Sequence, residues 1–82
     1  MAINANRHFK RFGKRFFVQD IPKGYKERQG GYKYSLYMLN EKGIWRLVND
    51  KISFNVPHFK TIKDAQRWVW WCSGDGEFID ID

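Results

Sequence analysis

From Tyr32 to Leu39 the chain alternates with the two-residue period of an extended strand. Tyr32, Tyr34, Leu36 and Met38 fall on one side, and Lys33, Ser35, Tyr37 and Leu39 on the other. Asn40-Glu41-Lys42-Gly43 is a four-residue turn with glycine last, which suits a hairpin, and Ile44–Val48 is the expected return strand. Asn49-Asp50 turns the chain again. Lys51–Val56 then reads as a third strand, with Ile52, Phe54 and Val56 on one face and Pro57 ending it. Upstream, Phe16–Ile21 is an optional fourth strand, ended by Pro22 and Gly24, and YKERQGG follows as a glycine-tipped loop.

The period changes after Phe59. Ile62, Ala65, Val69 and Cys72 recur at helical spacing as one apolar stripe, with Trp68 beside it. Thr61 stands at the N-cap, and Asp64 three residues on can return the capping interaction. Gly74 sits where a left-handed C-terminal cap is expected, so the predicted helix covers residues 62–73. On its opposite face Lys63, Arg67 and Trp70 stack at i, i+4 and i+7. Trp70 is therefore expected at the surface and Trp68 inside. The elements add up to an α+β fold, a small antiparallel sheet of three or four strands packed against one C-terminal helix. Its expected core is Leu36, Phe54, Ile62, Ala65, Trp68 and Val69, with Ile44 and Val48 beside them.

Composition adds an excess of aromatics. In 82 residues Phe, Tyr and Trp supply 18 %, including four tryptophans, more rings than one small core hides. No apolar run is long enough to span a membrane, and the basic N-terminus has no apolar stretch behind it, so no signal peptide is expected. A single cysteine, Cys72, fits a reducing compartment and a cytoplasmic setting.

The charge of +6 is unevenly placed. Residues 1–33 hold nine Lys and Arg against two acids, Asp20 and Glu27; residues 34–82 hold six against seven acids. The chain thus divides into a basic aromatic arm over residues 1–15, a compact domain over 16–74 and an acidic tail over 75–82, DGEFIDID. In the leading stretch RHFKRFGKRFF, Phe9, Phe12 and Phe16 lie at i, i+3 and i+7 with cations between them. Gly13 interrupts a helix there, so an irregular arm pinned by its phenylalanines is expected.

Catalytic chemistry is not supported. His8 and His58 are 50 residues apart with no Cys or carboxylate at ligand spacing, which argues against a metal site. Cys72 lies on the inward stripe at a helix C-terminus, a position for a core cysteine rather than a nucleophile. GYKERQGG lacks the Gly-Lys-Ser/Thr of a phosphate loop, and the acidic tail lacks the closing Glu of a calcium loop. Neither an enzyme nor a cofactor nor a small-molecule substrate is expected. GKRFFV, Gly13–Val18, resembles the aromatic strand of an RNA-recognition motif but lacks its glycine, and the chain lacks that fold's second helix.

More of the chain carries a second likeness. GGYKYSLYMLNEKGIWRLV followed by FKTIKDAQRWV resembles the arm-type DNA-binding domain of phage tyrosine integrases over roughly residues 23–71. Gly31, Tyr32 and Tyr34 match its opening strand, Gly43 its hairpin turn, Phe59 and Thr61 its step into the helix, and Ala65 its close helix contact. The resemblance implies three antiparallel strands laid in a DNA major groove. The chain also looks like the stand-alone products of phage accessory genes, the anti-CRISPR group included, which bind and inhibit host proteins. The leading expectation is non-catalytic binding of nucleic acid, DNA first, through the basic arm and the open sheet face. A phage-encoded inhibitor of a host protein or nucleoprotein complex is the alternative. The candidate binding residues are Arg7, Lys10, Arg11, Lys14, Arg15, Lys23, Lys26, Arg28, Lys33, Lys63, Arg67 and Trp70.

Overall fold

The computed structural model describes residues 7–71 and 79–81. Their order is β1 (His8–Arg11), β2 (Lys14–Asp20), α1 (Lys26–Gln29), β3 (Tyr34–Leu39), β4 (Trp45–Asp50), β5 (His58–Phe59), α2 (Ile62–Trp71) and β6 (Ile79–Ile81). The fold is α+β: an antiparallel sheet in the order β1-β2-β3-β4-β6, with α2 across one face. The short β5 pairs with Tyr34 and Ser35, while β4 pairs with Tyr37–Leu39, so two strands share successive parts of the same β3 edge.

The sheet face under α2 is dry. Phe16 and Val18 of β2, Leu36 and Met38 of β3, Val48 of β4 and Ile79 of β6 are buried there against Ala65 and Val69 of α2. Each comes from alternate positions of its strand, as the pleat requires. Thr61 caps α2 as expected, its Oγ1 accepting from the Asp64 amide at 3.0 Å. Ile62, Ala65 and Val69 form the inward stripe, and Trp68 is half-buried edge-on to Phe59. Cys72, Ser73, the Gly74 cap and residues 75–78 of the tail lie outside the described residues.

Five expectations are corrected. The leading segment is not an irregular arm, because His8–Arg11 pairs with β2 along its length. A two-residue turn at Phe12-Gly13 joins them, with φ of 57° and 72°. Both central residues of a type I′ turn need positive φ, and its twist matches that of the flanking strands. Lys51–Val56 is a loop rather than a third strand. Asp50 Oδ1 accepts from the amides of Ile52 and Ser53, and the Phe54 amide donates to the Asp50 carbonyl at 2.7 Å, so the local turn wins over extension. Phe54 is therefore 86 % exposed, outside the core. Ile44 also leaves the core for the β3–β4 turn, where Asn40 Oδ1 accepts from the amides of Lys42 and Ile44, both at 2.9 Å. Finally, the Ile79–Ile81 part of the acidic tail is a strand that extends the sheet beyond β4.

Candidate nucleic-acid interface

The sheet face turned away from α2 is open, and its chemistry follows from strand parity. Phe16 and Val18 point inward, so Arg15, Phe17 and Gln19 point outward; on β1 the outward pair is His8 and Lys10. On β3 and β4 the outward residues include Tyr37, Leu39, Trp45 and Leu47. Rings rooted on three different strands meet on this face. His8 stands 4.6 Å from Phe17, and Trp45 reaches both at 6.1 Å, edge-on to His8. Trp45 keeps 38 % of its surface exposed. A cleft of about 400 Å³ beside the cluster is lined by His8, Phe9, Lys10, Arg15, Phe16 and Trp45.

Cations gather at the hairpin end of the sheet. A groove of about 770 Å³ runs between the β1–β2 and β3–β4 turns, lined by Lys10, Lys14, Arg15, Lys42, Arg46 and Glu41 among others. Lys10 and Arg15 line both the groove and the aromatic cleft, which makes the two features adjacent. They also face each other across the β1–β2 ladder, and the next pair along is Arg11 opposite Lys14. Like charges directly opposite on a ladder destabilise it. Two such rungs in succession put a concentration of positive charge at the end of the hairpin.

The twelve candidate residues do not form one surface. Lys10, Lys14 and Arg15 belong to the groove and cleft just described. Arg7 is engaged in the fold: it pairs with Asp20 at 3.3 Å, donates to the Val18 carbonyl at 3.3 Å and lies over the Tyr34 ring. Arg11 sits on the helix side of β1, its guanidinium 4.9 Å from the Phe12 ring and 4.8 Å from the Trp70 ring. Lys23, Lys26, Arg28 and Lys33 lie in and around α1. Lys63 and Arg67 are exposed on the outer face of α2.

Trp70 was expected as an exposed ring and is 43 % exposed, the rest covered by Phe9 at 5.6 Å and by Arg11. The arm's phenylalanine thus packs on the outer shoulder of the helix. Four residues of the open face, His8, Phe17, Tyr37 and Trp45, were not among the candidates. Their signal was parity: Phe17 must oppose Phe16, and Trp45 falls opposite Leu39 across the hairpin. Among the described residues no three His, Cys, Asp or Glu side chains converge to hold a metal, and no helix is long and apolar enough to cross a membrane. Compared with protein-family models, curated proteins and solved structures, the chain matches none.

Proposed function

We propose that this protein is a non-catalytic nucleic-acid-binding domain, DNA before RNA, that uses the open sheet face and the cationic hairpin end. The observation that carries the reading is the like-charge rung on the open face, Lys10 opposite Arg15, with Lys14 beside them in the groove. Free protein bears that repulsion without return, and a bound polyanion relieves it. The aromatic cleft adjacent to the groove supplies the second element of such a site, since phosphates position and rings engage bases. Phosphate contacts from Lys10, Lys14, Arg15 and Lys42 would release about four counterions, giving a log K against log salt slope of roughly −3 to −4. Titrating a labelled 20-nucleotide strand and its duplex at several salt concentrations measures it. No binding of either at about 50 mM salt would sink the proposal.

A second reading, a phage-encoded inhibitor docking on a host protein, draws on other residues. Phe54, Trp71 and Ile52 are 86 %, 79 % and 64 % exposed, and large apolar side chains so displayed are typical anchors of protein interfaces. Either role fits a cytoplasmic setting, that of the host if the chain is phage-encoded.

A further inference from the structure

We infer that the ligand is a single strand of nucleic acid, its bases stacked on the His8–Phe17–Trp45 cluster and its phosphates following Lys10 and Arg15 into the hairpin-end groove. The inference rests on the nucleic-acid reading and narrows it.

Two properties of the face favour a single strand over a duplex seated upon it. The first is width. His8, Phe17, Tyr37 and Trp45 are rooted on four neighbouring strands, which at about 4.8 Å per strand span roughly 14 Å between outer backbones before side chains are added. A B-form major groove is about 12 Å wide and admits a two-stranded ribbon or a helix, not a four-stranded face. The second is chemistry. In a duplex the base faces are stacked on one another, and only their edges show in the grooves. Contiguous rings at 4.6 to 6.1 Å offer π-faces and edges, which are complementary to bases already unstacked.

The cations are arranged to match. Lys10 and Arg15 stand on the same face as the rings, on the side toward the groove, so a backbone can leave the ring surface directly into cationic surroundings. A chain of one strand can bend from the cleft into the groove, whereas a duplex, with a persistence length of about 150 base pairs, cannot follow so short a path.

The test uses the whole chain with oligo(dT) and oligo(U) of about 15 nucleotides and a 15-base-pair DNA duplex, followed by intrinsic tryptophan fluorescence and by anisotropy of labelled strands. A single strand should bind at least about tenfold more tightly than the duplex and quench tryptophan emission. Trp45→Ala and Phe17→Ala should each weaken that binding about ten- to a hundredfold, while Trp45→Phe, which keeps a ring, recovers most of it. Thermal melts confirm that each variant is folded. Oligo(dT) binding more tightly assigns DNA as the source of the strand, and oligo(U) binding more tightly assigns RNA; both support the inference. A duplex bound as tightly as the strands, with Trp45→Ala indifferent, would overturn it and leave the broader reading standing. Failure of all three probes would overturn both.

Discussion

At two positions the backbone holds a phenylalanine in the left-handed region, and the difference between them lies in what each ring gains. Phe12, at φ 57°, packs against the core and under the Arg11 guanidinium at 4.9 Å, so its strain of about 1 kcal/mol is offset by contact. Phe54, at φ 59°, is 86 % exposed. Asn tolerates that conformation far better. Phe54→Asn should therefore stabilise the protein by about 1 kcal/mol, raising Tm by roughly 4–8 °C for a domain of this size. A fall in Tm instead would mean that the ring covers apolar surface after all. Gly13 gives the opposite case. A Cβ there would meet nothing within 4 Å, yet its φ of +72° makes any side chain strained. Gly13→Ala should cost about 1 kcal/mol by thermal melt, from the backbone alone. Trp70→Ala should cost about 1–2 kcal/mol, more than a surface substitution, because Phe9 and Arg11 both rest on the ring.

Elements were legible in the sequence wherever one periodicity governed both packing and charge. For α2 the stripe Ile62, Ala65, Val69 and the Thr61 cap said the same thing, and β3 alternated cleanly because one of its faces is dry. β1 was hidden because its inward residues are Phe9 and Arg11, so the alternation is not between apolar and polar. Arg11 takes an inward position by lying between two rings, which no hydropathy pattern encodes. In β2, adjacent Phe16 and Phe17 point to opposite faces, so the outward ring was invisible without the register that sets Phe17 beside His8 and Trp45. Lys51–Val56 alternated as a strand does, but Asp50 captured the local amides first. The IDI of β6 did alternate, within a segment whose charge suggested a tail. That strand is energetically substantial: Ile79, opposite Asp50, is buried in the same core cluster as Val48, and Ile79→Ala should cost about 2–4 kcal/mol in a denaturant titration. A cost under about 0.5 kcal/mol would mean that β6 is dispensable to the core.

For the molecule as a whole, two faces carry like-charged pairs, and they make a controlled comparison. On the open face Lys10 opposes Arg15 across the ladder; on the far side of α2 Lys63 and Arg67 lie at i and i+4. Both arrangements are unfavourable in the free protein by a few tenths of a kcal/mol. Replacing the first member by an acid turns repulsion into attraction in each. Lys10→Glu and Lys63→Glu should therefore each raise Tm slightly, by roughly 0.2–1 kcal/mol of added stability. Their effects on ligand should diverge. Lys10→Glu should weaken binding of a labelled single strand and flatten its salt slope by about 1–2, since one phosphate contact is lost and a repelling charge takes its place. Lys63→Glu should change neither beyond the small effect of a lower net charge screened over about 10 Å at 0.1 M salt. A site that is less stable empty than it could be, and that loses ligand when it is stabilised, is the mark of charge placed for binding rather than for folding. If Lys63→Glu flattens the slope and Lys10→Glu does not, the phosphate path runs along α2, and the open face is not the interface.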